Sequence, residues 1–422
     1  MRKFLVLGLA LFLLLAPGCA KKETQQPAKQ QPPKQEQPKA VAKISENETN
    51  PEVWGKQYPT VWATWQKMKE QSTQYSKYGG SEKKPKFGMY PYLKEIYAGN
   101  PFGEDYNEER SHFYAIPDVK DIKRKKPGGT CLTCKSPEVP KLIKEMGTKF
   151  YSDPFDQVVT KAPHSIGCSD CHDPKTMKLR ITRPHLVEAL KKQGKNPDSL
   201  SETEMKNYVC AQCHVEYYFK KDTKEVVLPW DKGRKPQNLV EYYNSINLEE
   251  WVHKTNGASL VKIQHPDYEF FTESTHAKMG ATCVDCHLPK MKEGGKEVVS
   301  HHMTTPARYD YIACKKCHQQ SGQEMKDKAI KIQDDINGKF KTASNDMIAA
   351  IKAIEAAAKS PKVNQAKLKE ARGIYREADI YWDWMAAENS MGFHNPSEGR
   401  EYLDKASSLA KKATETANAA KG

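Results

Sequence analysis

The clearest alternation of apolar and polar positions lies near the C-terminus. In residues 322–358, Ile332, Ile336, Phe340, Ala343, Met347, Ile351 and Ile354 recur at three- and four-residue intervals, the spacing of one helical face. "SPK" at 360–362 breaks the stripe. A second helix is expected beyond it, with Leu368, Ala371, Tyr375, Ala378, Trp382 and Met385 on one face. "GFHNPSEG" interrupts again, placing Asn395, Pro396 and Glu398 at the cap, first and third positions of a last helix running to residue 418 or so. That is a capping-box arrangement. The stripes predict a helical subdomain over 321–422 that packs helix on helix and offers a dimer contact.

Residues 46–320 behave differently. Pro, Gly and Lys are frequent, long periodic stretches are few, and strand alternation is unconvincing, so short helices and loops are expected. At the other end, "MRKFLVLGLALFLLLAPGC" sets Arg2 and Lys3 before a short apolar run. This reads as a secretory signal over 1–18, too short for a membrane span. "LLAPGC" resembles a bacterial lipobox with Cys19 as the lipidated residue, although Ala16 stands where leucine is usual. Ordinary cleavage after Ala20 is the alternative. Residues 19–45, rich in Gln, Pro and Lys, read as a flexible tether. Both routes export the chain, so a periplasmic protein is expected, membrane-tethered where Cys19 carries lipid.

Composition changes the picture. Only 38% of the 422 residues are hydrophobic and mean hydropathy is −0.80, poor for a compact domain of this size. The cysteines suggest what fills the interior. Ten of the eleven form five Cys-x-x-Cys pairs. Cys131 and Cys134 lie in "CLTCK", Cys168 and Cys171 in "CSDCH", and Cys210 and Cys213 in "CAQCH". Cys283 and Cys286 lie in "CVDCH", and Cys314 and Cys317 in "CKKCH". Cys-x-x-Cys-His is the attachment signal for c-type haem, in which both thiols bond the porphyrin and the histidine meets the iron. Zinc ribbons and disulfides also use paired cysteines. Neither needs a basic residue after the second cysteine five times running. Five covalent haems would supply the missing core volume. The expected fold is mainly α with little β: a haem-packed catalytic core over 46–320 plus long C-terminal helices. The net charge of +14 partly balances roughly ten haem propionate charges, and the remainder suits a small anion rather than nucleic acid.

Each iron has two axial positions. His172, His214, His287 and His318 fill one on four haems. Nine histidines remain: His112, His164, His185, His253, His265, His276, His301, His302 and His394. Spacing alone does not choose among them. Nor does it explain Lys135, the basic residue of the first motif.

Cys-x-x-Cys-Lys followed by four Cys-x-x-Cys-His motifs, with "CHVEYYF", "KIQHPDYE" and "GFHNP", resembles the pentahaem cytochrome c nitrite reductases that form ammonium. The resemblance covers about residues 50–400. It implies that Lys135 is the proximal ligand of a catalytic haem with an open distal face. An amine must lose its proton to bind iron, so Lys135 is expected in a buried, metal-polarised site with a depressed pKa. The same resemblance implies His112 as second ligand of the third-motif haem, His276 of the fifth, His301 of the second and His394 of the fourth. His302 is the rival to His301.

By that resemblance, nitrite takes six electrons beside Arg124, Tyr217 and His265. Arg124 offers a permanent charge and forked donors to an oxyanion, His265 can deliver protons, and the Tyr217 hydroxyl can hold substrate. Arg124 also sits in a basic run that reads as solvated surface, and Tyr217 adjoins Tyr218. A calcium site is implied too, from the Glu216 carboxylate, the Tyr217 and Lys262 carbonyls and the Gln264 side chain, an all-oxygen set suited to a hard cation. The implied partners are a membrane quinol-oxidising multihaem cytochrome as electron donor and a second copy of the chain in a homodimer. A multihaem electron carrier without its own substrate is the rival reading, as are hydroxylamine or sulfite as substrates.

Overall fold

The computed structural model describes residues 44–422 apart from 73, 74 and 80. Cys19, the signal and nearly all of the tether lie outside the described residues. From Pro51 to Lys316 the chain forms helices of ten residues or fewer, joined by loops and turns. The strands make three two-stranded antiparallel hairpins: Tyr218–Phe219 with Val226–Val227, Trp251–Val252 with Ser259–Leu260, and Lys290–Glu293 with Lys296–Val299. The last turns through Gly294 and Gly295 at φ 55° and 79°, the left-handed pair that a two-residue hairpin turn requires and glycine adopts without strain.

Three long helices follow, Gly322–Ala358, Gln365–Ala387 and Pro396–Ala419. Of the first predicted stripe, all but Ile332 are buried, and the whole second stripe is buried. The caps differ in part from expectation. The Asn395 side chain accepts from the Glu398 N–H at 3.4 Å. The Glu398 carboxylate does not reach back, because Lys235 (2.6 Å) and Tyr402 (2.8 Å) take it. A full capping box instead opens the first long helix, where Ser321 and Glu324 bond each other reciprocally at 2.7 and 3.2 Å.

The apolar core of these helices does not stop at residue 320. Leu93, Ile96 and Tyr97, together with Leu239, Leu260, Ile263 and Phe270, join it. At its centre Trp382 stacks on Phe340 with centroids 5.4 Å apart and donates its indole N–H to Ser344 at 2.9 Å. One residue along, Asp383 accepts from the Tyr97 hydroxyl, from Lys262 Nζ at 2.8 Å and from the Ile263 N–H at 2.8 Å. The second long helix therefore fixes the backbone of "KIQHP". Among the described residues no helix is long and apolar enough to cross a membrane.

Candidate functional site

The motif residues sit where local folding aims them. Cys168–Cys171 and Cys283–His287 are helical turns, and Thr282 caps the second by a reciprocal pair with Asp285. The backbone N–H of His172, His214 and His318 each bonds the first cysteine carbonyl of its own motif, at 2.9, 3.0 and 2.9 Å. None of the ten described cysteines is in a disulfide. The Cys134 thiol contacts Cys213, and Cys210 contacts Cys283, so the first, third and fourth motifs are neighbours. Partial burial pushes the Cys171 thiol well up and that of Cys286 up to about 12.

The fifth motif is more open than the other four. Cys317 is exposed, whereas the other nine described cysteines are half-buried. The reason is local. Cys314–Lys316 forms only a short 3₁₀ turn, and Lys315, Lys316, Gln319 and Gln320 around Cys317 all face solvent. A thiol there can still bond a porphyrin, with fewer side chains closing over that edge.

Each motif histidine faces a second imidazole. Ring centroids are 6.0 Å apart for His172 and His301, 6.1 Å for His214 and His112, 6.3 Å for His287 and His394, and 6.2 Å for His318 and His276. A metal–imidazole bond of about 2 Å, with the ring centre roughly 1 Å behind the nitrogen, puts two axial rings about 6 Å apart. The donor sets fit bis-imidazole haem. Several rings are also oriented as ligands require, with Nδ1 occupied and Nε2 free. His172 Nδ1 pairs with the Met177 carbonyl at 2.8 Å, His287 Nδ1 with Thr304 O at 2.9 Å and His301 Nδ1 with Val299 O at 3.0 Å.

Lys135 differs. Its Nζ lies 3.6 Å from Glu109 Oε1, which in turn lies 3.7 Å from His265 Nε2. The expected depression of the Lys135 pKa is not what the protein alone produces. Glu109 raises it, outweighing burial, so deprotonation would have to come from the metal. Glu109 itself is held far below the usual carboxylate range, chiefly by Lys135. Burial pushes His265 down to about 4. The His265 ring is also 6.1 Å from His214, but its Nδ1 meets Asn389 Nδ2 at 3.4 Å and its Nε2 is turned to Glu109.

Arg124 donates to the Asp105 carbonyl at 2.8 Å and lies 4.0 Å over the Phe102 ring. Burial lowers its pKa, and Cys131 and Tyr217 are among the groups that interact with it. Burial raises the Tyr217 pKa, and the charges acting on it include Cys134, Cys131 and Glu109. Behind Tyr217, the Glu216 carboxyl is fully buried, accepting from Tyr243 at 2.7 Å and from the Gln264 N–H at 2.6 Å. The Gln264 amide reaches Lys262 O at 3.3 Å. Burial raises Glu216, and pushes Glu269 up to about 8. Two buried carboxyls, Glu216 and Glu269, beside the Gln264 amide fit a divalent cation, since buried charge is paired or bound to metal.

The family model described as cytochrome c552 matches residues 50–421 of this chain. The chain belongs to the cytochrome c552 family. Cytochrome c-552 of Bacteroides fragilis is 34% identical over 372 residues, spanning 86% of this chain and 75% of its own. That of Aliarcobacter butzleri is 34% identical over 386 residues, with 85% and 74% covered. Cytochrome c nitrite reductase from Desulfovibrio desulfuricans, whose catalytic subunit NrfA is described with two calcium sites, superposes with a TM-score of 0.85. It is 32% identical, and 90% of this chain and 88% of that one are covered.

Within this member of the cytochrome c552 family the fold separates residues that the sequence could not. His301 faces His172, whereas His302 is buried against the Tyr309 hydroxyl at 2.8 Å. Tyr218 packs on Tyr242 and Tyr243, whereas Tyr217 packs on Phe219 and feels the charges of Cys131 and Cys134. His164 meets Glu138 at 2.6 Å, His185 meets Gln212 O at 2.8 Å and His253 meets Glu95 O at 3.0 Å, all away from the paired rings. Two contributors carry no sequence signal. Arg183, fully buried, donates to Thr133 O (2.6 Å) and Ser136 O (3.0 Å), on either side of Lys135, and to Asp170 of the second motif at 2.6 Å. Glu109 is the other, three residues before His112.

Proposed function

We propose that this cytochrome reduces nitrite to ammonium by six electrons at a haem held by Cys131, Cys134 and Lys135, with four further haems supplying it. The observation that carries this reading is the exception in the set: four motif histidines face an imidazole, while Lys135 faces Glu109 with His265 beyond it. The four centres would use His172 with His301, His214 with His112, His287 with His394 and His318 with His276. Their thioether bonds would come from Cys168 and Cys171, Cys210 and Cys213, Cys283 and Cys286, and Cys314 and Cys317. Bound haem supplies electrons and, at the lysine centre, a free coordination position.

The side chains do the rest. Arg124 holds the oxyanion with a permanent charge. Tyr217, whose raised pKa keeps its O–H intact, donates a hydrogen bond to the substrate. His265 carries protons at Nε2. Burial disfavours its charged ring, so a proton taken from solvent is readily passed on. Calcium at Glu216, the Tyr217 and Lys262 carbonyls and Gln264 would neutralise the buried acids and fix Tyr217 and His265. Export through the N-terminal signal, lipidation at Cys19, a membrane quinol-oxidising cytochrome as donor and dimerisation through the long helices complete the proposal.

Reduced viologen with nitrite is expected to give one ammonium per nitrite. Lys135→Ala abolishes turnover, and His265→Ala lowers it roughly 10²–10⁴-fold. Unchanged turnover in both variants removes the site assignment. A pyridine haemochrome count below five removes the five-centre reading.

A further inference from the structure

Asp267 belongs to none of the assigned groups, yet it touches three of them. Its carboxylate is almost fully buried. Oδ2 lies 3.4 Å from His214 Nδ1, and Oδ1 lies 3.9 Å from His394 Nδ1, which is buried without a hydrogen-bond partner. These two rings belong to the third and fourth motif centres. Asn389 clamps the carboxylate from the other side, donating its backbone N–H to Oδ1 and its side-chain N–H to Oδ2, each at 2.8 Å. The same Asn389 amide meets His265 Nδ1 at 3.4 Å. Glu388 is also near Asp267 and His394, but its oxygens are taken by Gly392 N–H at 2.5 Å and by the Ser390 N–H and hydroxyl at 2.8 and 2.6 Å.

We propose that Asp267 is a positioning residue shared by two haems, whose single carboxylate lowers the potentials of the third and fourth motif centres together and, through Asn389, orients His265. His172, His287 and His301 turn Nδ1 to neutral carbonyls at 2.8–3.0 Å. His214 turns it to an anion. A carboxylate behind an imidazole makes the ring a stronger donor and favours the more oxidised metal. Because Cys134 touches Cys213, the third motif centre adjoins the Lys135 centre, and the low-potential step falls just before the catalytic one.

This inference rests on the haem assignment above, and its test does not use nitrite turnover as the deciding reading. In the five-haem protein, Asp267→Asn is expected to raise two of the five midpoint potentials in a spectroelectrochemical titration and to shift two of the low-spin ferric EPR signals. Asp267→Glu restores both potentials toward native values. Asn389→Ala leaves haem content intact, lowers kcat for nitrite with KM unchanged, and raises the same two potentials by less. A uniform shift of all five potentials in Asp267→Asn, or none, overturns the proposal. So does haem loss in Asp267→Asn with unshifted potentials in Asn389→Ala, which would leave Asp267 a scaffold role only.

Discussion

The C-terminal helices and the motif-bearing region hold themselves together by different means. In the helices, Ile336, Phe340, Met347, Tyr375 and Trp382 fill one another's spaces in a continuous side-chain core. The motif region has small separate apolar clusters, one from Ile116 to Ala162 and one from Leu186 to Tyr268, with ten thiols and the paired rings between them. Side chains that make their own core must repeat with the helix, so their order shows as periodicity. A region that closes on a prosthetic group needs only to present the right atoms at the right places. Its order shows as short motifs.

Three changes probe that division, in descending size of effect. Trp382→Ala removes the stacked indole and its bond to Ser344, at a cost of about 3–5 kcal/mol. Guanidinium unfolding of the holoprotein followed by far-UV circular dichroism should show the loss, while turnover per haem is retained. A fall in turnover proportional to the stability loss would mean that the regions are not separable.

The calcium-free protein sharpens the comparison from the other side. Glu269 keeps its proton up to about 8 in the folded state and burial raises Glu216 as well, whereas an unfolded chain releases both near the ordinary glutamate value. The unfolded state therefore binds fewer protons between those limits, and stability falls as pH rises through that window. Chelated protein should show a melting midpoint that drops by several degrees across it. Added calcium should flatten the drop, and an identical profile with and without calcium would remove the ion from these acids.

Asn395→Ala gives the smallest effect. Loss of the cap costs about 1 kcal/mol, read as a slightly lower melting temperature. Since Asn395 follows His394, one low-spin EPR signal should shift with it. An unmoved spectrum would make the cap a device of the helix alone.

The chain is most legible where the physics is local. Breaks at 360–362 and at "GFHNP" fall between the observed helices, because a chain punctuated by Pro and Gly cannot continue its hydrogen bonding. Lys135 stands out by contrast with four histidines. What escapes depends on folding: Glu109, Asp267 and Asn389 are far apart in the chain and meet their partners only through tertiary packing. Glu398 satisfies a local capping rule but is drawn off by Lys235, a partner far away along the chain. Cys317 has the same motif spacing as its counterparts, and only the turn around it shows that it faces water. Adjacent candidates such as His301 and His302, or Tyr217 and Tyr218, differ only in which way the backbone turns them.

His394 stands at the mouth of the last long helix and faces His287 across 6.3 Å. Of the thirteen histidines it is the last to be synthesised. The fourth motif is thus made well before the ring that answers it, and a chain cut short before residue 394 would lack that ring. On the proposed haem assignment, a product ended before that point would declare itself by its colour and spin state.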